Sequence, residues 1–408
     1  MTDGEFHCII ATVLFYFRNK SEIIQESFHR QLPEAATYMH SSLNMDKKKT
    51  FILLFALIVI VALIGLTAGG VFRNNSKSVS AVRLRCTSSQ DVTPFGNDIL
   101  YYDGMTLYCL QSNGHERWSY PLGENASFTC SDTVVAAWMG SQLHIVDKNG
   151  KTTYNESLSN AIQFVRVGSK YVAVVMGSDT SPTLLVKDMQ GTTMDQESKT
   201  YQDSIILDVG FFSDGEFLWT TSLDAFGSVP DTLLNTYRVN STASGGISLG
   251  ENLVYAVIYA GTELNVISTR QLRQYDYRGT QDQTGTVLVY GWQLEDAAPS
   301  GTDAMLLFKP AKSTDYQGSM NQLRLIWGNT DRRYSLPSTC VGAALYNRRI
   351  YAFGEDMIYR AELGSRRFTP ISISHLIGGQ MVTGCLGVLK NGVALLACMN
   401  EVYAVSLL

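Results

Sequence analysis

Beyond residue 72 the sequence repeats one local pattern, two apolar runs joined by a short polar turn, and this repetition constrains the fold more than any other feature. Residues 99–110 (ILYYDGMTLYCL), 134–146 (VVAAWMGSQLHIV), 350–361 (IYAFGEDMIYRA) and 393–405 (VALLACMNEVYAV) carry it most clearly. Each places Gly, Asp, Asn or Ser where the chain reverses, residues that tolerate the backbone angles of tight hairpin turns. Longer-turned versions lie at 171–186, 217–239, 253–267 and 305–327. A lone hairpin cannot bury its own apolar faces, so these units must pack on one another. Eight hairpins in about 336 residues give a spacing of roughly 42, the length of a four-stranded propeller blade. The expected fold is all-β, a β-propeller of eight four-stranded blades, or of seven if one loose hairpin is misread.

The link after the second strand of each hairpin is also patterned. Asn113-Gly114 is followed four residues later by Trp118, and Asn149-Gly150 by Tyr154. A turn glycine with an aromatic at fixed offset suits a third strand whose ring seals the gap to the next sheet. Residues 185–195 keep Asp188 and Gly191 but carry no aromatic at the offset. The pattern resembles quinoprotein-like β-propeller repeats, which read Leu-Tyr-Ala-Leu-Asp, then Thr-Gly, then Trp. Here Cys109, Gln111 and Asn113 replace the alanine, aspartate and threonine. Together with the membrane segment described next, the chain resembles a family of membrane-anchored bacterial propellers of Gram-positive type. The resemblance implies a scaffold and no cofactor, since the adjacent cysteines on which quinone-dependent dehydrogenases rely are missing.

Residues 51–71 (FILLFALIVIVALIGLTAGGV) hold no charge. As a helix of about 31 Å they would cross a bilayer core of about 30 Å. Lys47, Lys48 and Lys49 directly precede the run and hold that end in the cytoplasm, although Arg73, Lys77, Arg83 and Arg85 follow it. The expected organisation is a cytoplasmic tail over 1–49, a transmembrane helix over 50–71, a linker over 72–79 and an extracytoplasmic propeller over 80–408. A cleaved signal peptide ending near Thr67-Ala68-Gly69 is the competing reading, set against the length of the run. The apolar stretch 6–17 is too short to span, and Met45 followed by the lysines resembles the natural start of an anchored protein.

The final hairpin has no outer strand after it, whereas residues 80–86 (SAVRLRC) alternate like a strand before the first blade. Pairing of 80–86 with 401–408 would close the ring and cover its exposed edge.

Few residues suggest chemistry. Only His115, His144 and His375 lie beyond residue 72, too scattered for a zinc triad. Gly246-Ile247-Ser248-Leu249-Gly250 matches a nucleophile pattern that needs a strand before it and a helix after it, and a strand follows instead. Cys86, Cys109, Cys130, Cys340, Cys385 and Cys398 form no Cys-x-x-Cys unit. Ring closure would bring Cys86 near the blade of Cys398, the one disulfide the sequence suggests. Glu295, Asp296 and Asp303 read as isolated, solvated loop charges. The long turns 224–232 and 312–321 are where a rigid scaffold would place binding.

No catalytic, cofactor-binding or metal-binding residue is assigned. A net charge of −5 disfavours nucleic acid as a partner. The expected role is a non-enzymatic binding or scaffold module at the cell envelope. Its expected partners are the lipid bilayer, through 50–71, and an envelope protein, peptide or glycan. A ligand-sensing ectodomain, or an enzyme working in the central channel, are the alternatives.

Overall fold

The computed structural model describes residues 79–407, apart from 213, 214, 225, 242–244, 261, 262, 301, 302 and 312–317. The readings made for residues 1–78, the span over 50–71 included, lie outside the described residues. No helix among the described residues is long and apolar enough to cross a membrane.

Among the described residues thirty-two strands form eight four-stranded antiparallel sheets. The first blade shows the pattern: Asp91–Phe95, Asp98–Tyr102, Thr106–Gln111 and Glu116–Pro121 pair in chain order, each with the next. Six more blades repeat it over 127–157, 162–197, 205–248, 254–288, 292–340 and 342–372. The eighth takes Val382–Val388, Val393–Cys398 and Glu401–Ser406 and borrows Ala81–Thr87 as its outer strand. Ala81 faces Val405 and Arg83 faces Tyr403 in antiparallel register, so the ring closes through its first ordered segment as the chain ends suggest. The blade count is eight.

The sheets bury both faces, which is why their middle strands read as continuous apolar runs. Eight apolar clusters fill the joints, one for each pair of neighbouring blades. Phe95, Trp118 and Val146 belong to the joint of blades one and two. Leu84, Ile99 and Leu395 belong to the joint of blades eight and one. Among the described residues every strand falls within 81–406 and every apolar cluster within 79–407, so this part carries a complete ring with all its cores.

Antiparallel succession sorts the loops onto two rims. Turns between first and second strands, and between third and fourth, share one rim. Turns between second and third strands share the other rim with the links between blades. Ala81–Thr87 is a fourth strand and starts on the first rim, here termed the entry rim; the opposite one is the link rim.

Three expectations are corrected. Hairpin 253–267 joins the first and second strands of blade five, Val254–Ala260 and Glu263–Ser268, where the other seven join second and third. Its apolar alternation was the stronger of the two candidates, because Gln271–Asp276 is mostly polar. Trp118 and Tyr154 lie on fourth, not third, strands, although they do reach the next blade. Cys86 and Cys398 are free thiols. Cys86 packs into the joint with blade one and Cys398 into the joint with blade seven, so opposite faces of the closing sheet keep them apart.

Candidate functional site

The first strands of the blades line the axis, and their backbone departs from regular pairing. Gln163, Leu207, Tyr255 and Glu295 each occupy an extra residue where the register jumps, a β-bulge at corresponding places in blades three to six. A bulge turns its side chain out of the alternation, here along the channel wall.

The polar groups so placed clasp one blade to the next. Arg166 Nε donates to Asp208 Oδ1 at 2.9 Å across blades three and four. The Leu294 amide donates to the Tyr255 hydroxyl at 3.0 Å across blades five and six. Glu295 binds Lys309 Nζ at 2.7 Å and accepts from the Ala343 amide at 3.0 Å. Asp296 accepts from the Leu345 amide at 2.6 Å and from the Ala297 amide at 2.8 Å. Burial pushes the Asp296 carboxyl up to about 6, against these two hydrogen bonds and with help from neighbouring Glu295. The expectation that Glu295 and Asp296 are solvated loop charges is therefore corrected. They stand on strand Trp292–Ser300, where the pleat and bulge direct them into the joint with blade seven. Two cavities, about 370 Å³ against blades three to five and about 330 Å³ against blades six to eight, flank these clasps.

A third cavity, about 370 Å³, opens between blades five and six towards the entry rim. Leu272, Val287, Leu306 and Ile326 line it, together with Glu263, Asp282, Asp303 and Asp331. Asp303 thus faces other carboxylates across a cavity, although its position at a turn, exposed, is as expected. Asp331 is held by Arg324 through two contacts of 2.8 and 2.6 Å, and Asp282 accepts from its own Thr284 amide and hydroxyl. Burial, then the charges of Asp282, Asp303 and Asp276, pushes the Glu263 carboxyl up.

The remaining sequence candidates do not converge. His115 sits in an entry-rim turn, His375 in the link before blade eight, and His144 on a strand with Nδ1 3.1 Å from the Tyr120 hydroxyl. Among the described residues no three His, Cys, Asp or Glu side chains gather as a metal set. Ser248 ends strand Gly245–Ser248 and donates to Asp231 Oδ1 at 2.9 Å; the next element is a strand. It lacks the strand-turn-helix setting of an elbow nucleophile.

What shares one side of the ring is apolar. Among the described residues the exposed large apolar side chains include Met105, Phe226, Leu288, Tyr290, Met381 and Met399. Of the whole exposed set all but Tyr277 belong to the link rim or the channel mouth beside it. Tyr290 is 80% exposed and Leu288 72%. The turn at 224–232 lies on this rim, and the strands Asp303–Pro310 and Met320–Trp327 that flank 312–321 end and begin there; most of 312–321 lies outside the described residues. Acidic side chains frame it, among them Glu124, Asp179, Glu251 and Glu355, against Lys199 and Arg270. Sequence reasoning missed this one-sidedness because its members are scattered through the chain.

The sequence model of a family described as of unknown function, DUF5711, matches residues 72–281, just over half of the chain. The comparison with curated proteins finds no match. Many solved structures share the architecture. The WD40 domain of SCAP from fission yeast is 7% identical, with a TM-score of 0.52 over 82% of this chain and 95% of that one. BamB from Moraxella catarrhalis is 11% identical, with a TM-score of 0.47 over 81% and 97%. Hydrazine synthase from Kuenenia stuttgartiensis is 10% identical, with a TM-score of 0.43 over 71% and 97%. At such identities the likeness is one of fold.

Proposed function

The chain belongs to the DUF5711 family, and we propose that it is a membrane-anchored propeller of Gram-positive type whose link rim docks a protein partner at the cell envelope, without catalysis. The observation that carries this reading is the gathering of exposed apolar side chains on one rim of a rigid ring. Scattered exposed apolar residues are ordinary, but their confinement to one side marks an interaction surface. Methionine suits such a surface because its flexible thioether adapts to a partner's shape. The acidic frame favours a partner whose apolar contact area is ringed by basic groups.

The anchor rests on the uncharged run at 51–71 and the lysines before it. The described chain enters the ring on the entry rim, at Ala81. The channel carboxylates are each engaged in joining blades, which speaks against an enzyme working there.

The test is capture from envelope fractions by the propeller 79–408, beside the variant Phe226→Ser/Leu288→Ser/Tyr290→Ser. A partner retained by the parent and lost by the variant supports the reading, and one retained by both overturns it. Protease accessibility of the propeller on intact cells tests the location.

A further inference from the structure

Blade seven carries an unusual density of arginine on the entry rim. Arg348 and Arg349 lie at the turn between its first two strands, and Arg366 and Arg367 at the turn between its last two. Arg360 approaches the same edge on strand Met357–Glu362. Glu362 is the acid among them, and it is paired with Arg349 at 2.7 Å. Arg348, Arg366 and Arg367 are exposed and form no ion pair among the described residues. Next to them, Arg332 of blade six donates to the Gly364 carbonyl oxygen at 2.8 Å and fixes the turn that bears Arg366 and Arg367.

The Arg348 backbone points the same way. Asn347 and Arg348 have φ of 47° and 59°, the two left-handed residues of a tight hairpin turn. Glycine would hold the second position with less strain. An arginine there is presented at the tip of the turn, its guanidinium 5.0 Å from the centre of the Trp327 ring. All these cations are arginines, the side chain whose planar fork matches phosphate oxygens.

From this placement we propose that the blade-seven edge of the entry rim docks onto an anionic phospholipid surface, with arginines on the headgroup phosphates. Lipid is chosen as the source of phosphate because of where the chain enters. The strand Ala81–Thr87 starts on this rim as the outer strand of blade eight, with Ala81 packed into the joint with blade seven, and residues 72–80 reach at most about 30 Å from the apolar run. The inference to this extent rests on the membrane reading of residues 51–71. The acidic cavity of blades five and six shares the rim, which makes the blade-seven side the docking edge.

The propeller 79–408, which carries its whole ring but not the apolar run, is sedimented with vesicles. The expected result is binding to vesicles of phosphatidylglycerol and phosphatidylcholine, little to phosphatidylcholine alone, and loss of binding towards about 0.5 M salt. Arg348→Gln/Arg366→Gln/Arg367→Gln should lower the partition about a hundredfold, each surface charge contributing about fivefold. Should that variant fail to melt like the parent, Arg366→Gln alone and the salt series on the parent decide the matter. Equal binding to neutral vesicles, an unaffected folded variant, or capture of inorganic phosphate without vesicle binding overturns the proposal. Alkaline extraction of the full chain from membranes tests the anchor separately, because the vesicle assay contains no apolar run.

Discussion

The Trp118 ring on the outer strand of blade one covers Gly150 in a turn of blade two, and its Nε1 donates to the Lys148 carbonyl oxygen at 3.0 Å. Gly150 has φ of 80°, and a Cβ there would stand 2.7 Å from the ring. The joint repeats with changing chemistry. Tyr154 covers Gly191, Ile247 meets Gly279, and Val82 of the closing strand meets Gly114. Blade three has Asp195 at the aromatic position, and it accepts from the Asn240 amide at 3.2 Å. At these five joints the outer strand therefore clamps a turn of the following blade.

Removing one clamp tests its weight. Trp118→Ala should cost about 3 kcal/mol, the usual effect of emptying a large buried aromatic site. Gly150→Ala should cost about 2 kcal/mol through the left-handed backbone and the close ring. A denaturant midpoint unchanged in both variants would show that the clamp adds nothing.

Ring closure depends on nine residues at the start of the propeller. Deleting 79–87 strips the outer strand from Glu401–Ser406 and removes Leu84 and Cys86 from the joint of blades eight and one. The expected outcome is a protein without a cooperative melt that binds an apolar dye. A variant melting like the parent contradicts closure by this strand.

Asp296 gives the fold a pH dependence of known sign. Its folded pKa, about 6, lies above the ordinary 3.8, so its contribution is fully present below about pH 4 and is lost as pH rises through 6. Asp296→Asn keeps an acceptor for the Leu345 amide and abolishes the buried charge. The variant should gain on the order of 1 kcal/mol over the parent at pH 8 and nothing near pH 4, read from paired thermal melts.

The thiols should be present but unreactive. Burial pushes Cys86 up to about 11 and Cys109 and Cys340 up to about 12, so little thiolate forms at pH 8. In the propeller 79–408 kept without reductant, six thiols should react in guanidinium and the buried ones should resist reagent in the native state. A shortfall in guanidinium would reveal a disulfide.

Architecture and closure were legible because the signals are local. A hairpin writes its alternation and its turn within about a dozen residues, and a glycine with an aromatic four positions on survives in Gly114-Trp118 and Gly150-Tyr154. The strand 80–86 announced itself by alternation, and the unpaired last hairpin supplied its place. Blade five was misaligned by one strand because Gln271–Asp276 offers almost no apolar run.

The sites became visible only in three dimensions. Glu295 and Asp296 look solvated in sequence, yet a bulge and a neighbouring blade bury them against the Ala343 and Leu345 amides. Cys86 and Cys398 are brought to one sheet, but the pleat turns them to opposite sides. Leu288 and Met399 meet one rim, and Arg348 and Arg366 the other, because antiparallel order assigns each loop to a side of the ring. Periodicity along the chain thus determined the repeating blade. Which side chains share a surface was decided by closure, since that depends on contacts between residues hundreds of positions apart.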